Sequence, residues 1–341
     1  LPEESPGIHY MDKSEIENVT SVLKGRSPFR FYGPNVQYMC DKFEKSVCEK
    51  LGTTHAIGVS SGTEALYIAL AALEVGPGDE VLLPGYLWTS CINAIVRLGA
   101  IPKLVDIDET FTMSPEDLSS KIGPNSKVVF YINMSGAPGR LDEIIQIARE
   151  NKLTVLEDNA QAFGAKFHGK YTGTFGDIGI QSFQINKSIT AGEGGLILCD
   201  NEHLYKRCFG IHDLGYARNE VGILMDTSCE EKYHVWGCGA RMSELLGAVL
   251  LAQFSKIDDI NTNTRKAKWS IRKALEDIEQ IKFRTIIDPE GDSGAFIIFT
   301  FENTTICDRF VEALRAEGMR GKGYAKPCIT MKEWGLHWYF N

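Results

Sequence analysis

From about residue 50 to residue 200, short apolar runs alternate with stretches that repeat at helical spacing. The runs at 55–60, 80–84, 102–106, 127–133, 154–158, 179–183 and 195–199 read as buried strands. The stretches at 63–73, 91–98 and 141–151 read as the helices between them. Buried strands separated by helices predict an α/β fold: a mostly parallel sheet with helices on both faces. Beyond residue 240 the pattern changes. Residues 241–254 and 261–278 are periodic in apolar side chains and read as long helices. Residues 296–301 read as a strand and 307–317 as a helix that ends at Gly318. This is the beginning of a smaller α/β unit. The chain stops at Trp338-Tyr339-Phe340-Asn341 with no closing element, so that unit is expected to be incomplete.

Composition narrows the function classes. A chain of 341 residues suits a large domain plus a smaller one. No apolar run is long enough to span a bilayer, and no signal-peptide pattern opens the chain. The formal net charge of −9, without a basic cluster, argues against a nucleic acid partner. Nine cysteines are scattered and form no CxxC pair, which predicts reduced thiols in a cytoplasmic protein. His203, Cys208 and His212 are the nearest approach to a metal grouping. They lack the paired, tight spacing of structural zinc, so no metal is expected.

Four local features could carry chemistry. Ser60-Ser61-Gly62-Thr63 joins a predicted strand to a predicted helix; it reads as an ordinary N-cap or as an anion site at a helix N-terminus. Asp158, at the carboxyl end of a strand, either caps the next turn or pairs with a cationic ring nitrogen. Lys187 follows the strand that ends near Ser182. It reads as a surface lysine or as a partly desolvated nucleophile. The run Ala191-Gly192-Glu193-Gly194-Gly195 is either a simple turn or a loop shaped around that lysine.

Taken together and in this order, the four features resemble fold-type I enzymes that use pyridoxal 5'-phosphate (PLP). More closely, the chain resembles the DegT/DnrJ/EryC1/StrS family of sugar aminotransferases. The matching stretches are SSGTEAL at 60–66, GDEVLLP at 78–84, EDNAQAFG at 157–164 and GDIGIQSFQINKSITAGEGG at 176–195. The resemblance implies a large PLP-binding domain over residues 1–255, whose N-terminal segment packs on a small C-terminal domain over 256–341. It implies that Lys187 holds the cofactor as a Schiff base and shuttles protons. Asp158 would keep the pyridine nitrogen protonated, which strengthens the ring as an electron sink. Gln161 would bond the ring's phenolic oxygen, and Trp88 would stack on the ring. Gly62, Thr63 and Ser182 would hold the phosphate. The implied partners are an amino donor, glutamate or glutamine, a keto-sugar acceptor, and a second copy of the chain in a homodimer with shared sites.

The acceptor implied is a nucleotide-linked keto hexose, a keto-octulosonate or a keto cyclitol. The runs 288–293 and 187–190 are similar to the octulosonate branch, and Arg218, Arg241 and Arg320 are candidates for an anionic substrate or for structural charge. Two positions depart from the family. Gly239 stands where many relatives have an Asn that reaches the partner's phosphate. Asn133 stands where many have His, a position expected near the substrate. The rival readings are a PLP sugar dehydratase, which in this family replaces the lysine with histidine, and a non-catalytic sugar-binding protein. A NAD-linked oxidoreductase is weak, since no GxGxxG follows the first strand.

Overall fold

The computed structural model describes residues 6–219, 222–226 and 235–319. Seven strands form one sheet: β1 (His55–Val59), β2 (Glu80–Pro84), β3 (Ile101–Val105), β4 (Ser126–Ile132), β5 (Thr154–Asp158), β8 (Ile178–Ser182) and β9 (Gly195–Cys199), in the order β1-β9-β8-β5-β4-β2-β3. The hairpin β6 (Lys166–Phe167) and β7 (Lys170–Tyr171) leaves the sheet between β5 and β8. Every pairing from β8 through β5, β4 and β2 to β3 is parallel; only β9, paired on both sides, runs against the rest. The mixed α/β, fold-type I architecture expected from the sequence is therefore present. Pro102 lies in β3, the edge strand, where a missing N–H costs little.

The helices are α1 (Lys13–Gly25), α2 (Met39–Leu51), α3 (Gly62–Ala72), α4 (Thr89–Arg97), α5 (Pro115–Lys121), α6 (Leu141–Glu150), α7 (Glu202–His212), α8 (Glu244–Phe254), α9 (Ile257–Leu275) and α10 (Thr304–Ala316). Their starts follow capping chemistry. Ser61, Asn201, Ser243 and Asn303 each accept an N–H from the first turn of the helix that follows. Asp12 and Glu15 form a reciprocal capping box at α1.

Alternate strand residues point to opposite faces. Val128, Phe130 and Ile132 join Val81, Leu83 and Leu156 beneath α3, α4 and α7. Val129 and Tyr131 face the other way, onto α5 and α6. Leu196 and Leu198 pack on that second side against Phe43 and Val47 of α2 and Phe254 of α8. With both faces covered, the strands read as continuous apolar runs. The N-terminal segment lies over α8 and the start of α9: Lys256 donates to the carbonyl of Tyr10 and pairs with Glu15. After α9 the chain adds a two-stranded ribbon, β10 (Lys282–Phe283) with β11 (Phe299–Thr300).

Candidate active site

The carboxyl ends of β1, β2, β4, β5 and β8 share one edge of the sheet, and the loops leaving them enclose a cavity of about 160 Å³. At β1 the chain turns through Ser61 into α3. Ser61 accepts the N–H of Glu64, and Gly62 lies so close to β8 that an added Cβ would stand 2.7 Å from Ser182 Cβ. Gly195 likewise admits the carbonyl of Ser61, 2.4 Å from where its Cβ would be. Only residues without a side chain allow this approach. The N-terminus of α4 meets the same place, and Thr63 Oγ1 donates to Ser90 Oγ at 2.9 Å. Two helix N-termini and the hydroxyls of Thr63, Ser90 and Ser182 thus line a pocket end suited to an anion.

Asp158 closes β5 and is only 5% exposed. Its Oδ1 accepts the N–H of Ala160 at 2.9 Å, and its Oδ2 accepts the Cys91 thiol at 3.4 Å. Burial raises its carboxyl above the usual range. The Ala160 and Cys91 hydrogen bonds and the charge of Lys187 pull it back part of the way. One oxygen of Asp158 thus caps the turn, the first of its two sequence readings, and the carboxylate also lines the cavity. Behind it, Glu157 is fully buried and accepts from the N–H groups of Gly173, Phe175 and Gly176 and from Asn133 Nδ2.

Lys187 sits in a loop held at both ends. Phe183 donates to the Gly194 carbonyl, and its own carbonyl accepts from Thr190 Oγ1 and the Ala191 N–H. Thr190 Oγ1 also accepts the N–H of Gly192. The Lys187 N–H donates to the Gln184 carbonyl, and the Lys187 carbonyl accepts from Gly7. The loop therefore fixes the backbone from which the lysine enters the cavity. Across it, Gln161 Oε1 accepts the N–H of Ser135 at 2.8 Å, and Trp88, 41% exposed, lines the mouth.

The structure gathers all seven predicted residues, Gly62, Thr63, Trp88, Asp158, Gln161, Ser182 and Lys187, around this one cavity. Sequence reasoning missed Ser90 and Cys91, which line it too, as does Glu193 of the loop read as shaped around the lysine. For Cys91 the available signal was its place in the first turn of α4, three residues after Trp88. Asn133 itself does not line the cavity, though its neighbours Ile132 and Met134 do. It is fully buried behind Asp158, donating to Glu157 and Asn159, because its strand-end position points into the packed side of the turn. Arg218 and Arg241 both pair with buried Asp213, at 2.6 and 2.7 Å, and so serve an internal ion cluster. Arg320 lies outside the described residues, as does the chain end at 338–341. Gly239 bridges to Asp213, and a Cβ there would meet nothing nearer than 3.7 Å. The residues fit a phosphorylated pyridine aldehyde: a cradle that a Cβ would fill, an amine, and a buried carboxylate whose charge calls for a cationic partner.

Comparison with known proteins agrees. A curated relative, GDP-perosamine synthase of Escherichia coli O157:H7, is 36% identical over 241 residues, 70% of this chain and 64% of the relative's length. The structure of an Escherichia coli GDP-4-keto-6-deoxy-D-mannose-3-dehydratase with bound hydrated PLP superposes with a TM-score of 0.80 at 25% identity, over 91% of this chain and 82% of that one. A 3-amino-5-hydroxybenzoic acid synthase matches with a TM-score of 0.80 at 26% identity, over 96% of this chain and 84% of that one. The model of the DegT/DnrJ/EryC1/StrS aminotransferase family matches residues 9–336, and this chain belongs to that family.

Proposed function

We propose that the chain is a PLP-dependent aminotransferase that moves an amino group from glutamate or glutamine to a keto sugar, as a step in making an amino sugar. The observation that carries this reading is the meeting of Lys187 and buried Asp158 on one cavity flanked by two helix N-termini. When bound, PLP supplies an aldehyde that condenses with amines and a ring that accepts electrons. The protein does the rest. The N-termini of α3 and α4, with the hydroxyls of Thr63 and Ser182, hold the phosphate. The Asp158 carboxylate would keep a proton on the ring nitrogen. Trp88 would cover a ring face, and Gln161 Nε2 would donate to the ring oxygen. Lys187 Nζ would be the attachment point and the group that carries protons between a substrate carbon and the cofactor in each half of the reaction.

The acceptor we favour is a nucleotide-linked keto hexose, because the 36%-identical relative is by name the synthase of a nucleotide-linked sugar. Residues 288–293, which suggested an octulosonate, have work elsewhere: Asp288 accepts the N–H of His168, and Asp292 pairs with Lys268 inside the protein. Against the dehydratase reading stands Lys187 itself. One solved neighbour is a ColD variant in which a Ser-His pair was changed to Asn-Lys, the dipeptide this chain carries as Asn186-Lys187. A homodimer finds support in the exposed apolar side chains of Leu214, Tyr216, Ile223, Leu224, Met225 and Trp236.

A spectrum tests the proposal. The protein should take up PLP with a visible absorption band, lose the band on addition of glutamate or glutamine, and recover it with a nucleotide-linked keto hexose. A chain that binds PLP but whose band no amino donor changes is not an aminotransferase, and the non-catalytic reading would then hold.

A further inference from the structure

The cavity wall that carries Gln161 is fastened from outside the sheet. Arg284, adjoining β10 and 3% exposed, donates through Nε to the carbonyl of Thr110, through Nη1 to that of Met134 at 2.6 Å, and through Nη2 to that of Ala137 at 2.7 Å. A buried guanidinium more often meets a carboxylate; here three main-chain carbonyls receive it. Two of them bracket the turn at Met134–Gly136, where Ser135 has φ 56° and Gly136 φ 92°. A left-handed serine persists only where its surroundings hold it. Ser293 holds the same turn from the other side, donating its N–H to the Gly136 carbonyl at 3.0 Å. Ser135 in turn donates its N–H to Gln161 Oε1. An amide whose oxygen is occupied by an N–H has its NH₂ on the other side. Since Gln161 lines the cavity, Nε2 is the donor it offers there.

We propose that Arg284 is a positioning residue: it holds the left-handed turn at Ser135 and thereby fixes which end of the Gln161 amide meets the cofactor's ring oxygen. This rests on the PLP reading above, and it links residues far beyond the large sheet to the electronics of the site. A donor on the ring oxygen favours its anion, so losing that donor raises the proton affinity of the bound chromophore.

The test titrates the visible band of the PLP-loaded protein against pH. Arg284→Lys, too short to reach all three carbonyls, should raise the apparent pKa of the band by about one unit, and Gln161→Leu should do the same. The double variant should match Gln161→Leu alone. An Arg284→Lys protein that titrates like the parent, or one that adds its shift again in the Gln161→Leu background, overturns the proposal. Where Arg284→Lys does not fold, Gly136→Ala loosens the turn from Ser293, whose Oγ lies 2.2 Å from the new Cβ. It should give the same shift, and its failure to do so counts equally against the link. A parent protein with no band at all refutes the PLP reading and the positioning role together. A parent with the band and an indifferent Arg284→Lys refutes the positioning role alone.

Discussion

The proposed chemistry turns on an amine and a carboxylate, and each is held by something small. Asp158 is fixed by one N–H and one thiol, and Lys187 by the hydrogen bonds of its own loop. Lys187→Ala should lose the visible band and slow turnover by about 10²–10⁴-fold through the proton transfers alone, while PLP still binds through its phosphate; rapid-mixing kinetics would reveal any retained rate. Asp158→Asn keeps shape but removes charge. It should lower kcat roughly ten- to a hundredfold, the worth of a hydrogen bond to a charged group. His212 supplies a different residue-scale prediction. It is fully buried among Arg30, Arg218 and Arg241, and burial first, then those charges, push it from its ordinary 6.5 down to about 3. Its folded pKa is depressed, so the unfolded chain takes up a proton that the folded one refuses. Stability is therefore complete above about pH 6.5 and falls steadily toward pH 3, at about 1.4 kcal/mol per unit for this one group. Melting curves of His212→Phe between pH 7 and 5 should flatten relative to the parent; an unchanged slope would assign the acid sensitivity to other groups.

Six of the seven strands were legible because they are largely buried and bounded by turns, and the exposed edge strand β3 by its place between turns; β2, β5 and β9 fall on the residues read from the sequence. Other elements were not. Phe299–Thr300 is all that forms of the longer strand expected at 296–301, because its partner, Lys282–Phe283, offers only two residues to pair with. Helix α9 begins four residues ahead of the expected Asn261, since that asparagine is used inside the helix, donating to the Phe163 carbonyl. Much of the site could be read in advance, since Asp158 ends β5, Ser61–Thr63 follow β1 and Lys187 lies in the loop after β8. Ser135 with its left-handed backbone, and Arg284 bonded to carbonyls, leave no mark in a one-dimensional pattern. At this scale two predictions follow from packing. Gly62→Ala puts a Cβ 2.7 Å from Ser182 and should weaken PLP retention, with a stability loss of about 1–3 kcal/mol measured by denaturant unfolding. Asp292→Asn strands the ammonium of Lys268 in a site where both partners are buried, at a cost of about 3–5 kcal/mol.

Among the described residues, Leu214, Tyr216, Ile223, Leu224 and Met225 are exposed apolar side chains close in sequence, and Trp236 is 97% exposed. A tryptophan so placed is better covered than wetted. Sedimentation should find a dimer, and Trp236→Glu should shift it toward monomer; a parent that sediments as a monomer would leave this surface without the occupant proposed. The sheet order carries a further consequence, this one about time. Among the described residues, strand β1 pairs in the sheet with β9, beside a single bridge from Val59 to Arg241, so residues 55–59 leave the ribosome long before residues 195–199 exist to receive them. The anion cradle, built where Gly195 admits Ser61, is thus among the last parts of the sheet to be assembled. A nascent chain arrested before residue 195 should be unable to capture the cofactor, and a cell short of that cofactor would meet its effect at the end of folding rather than at the start.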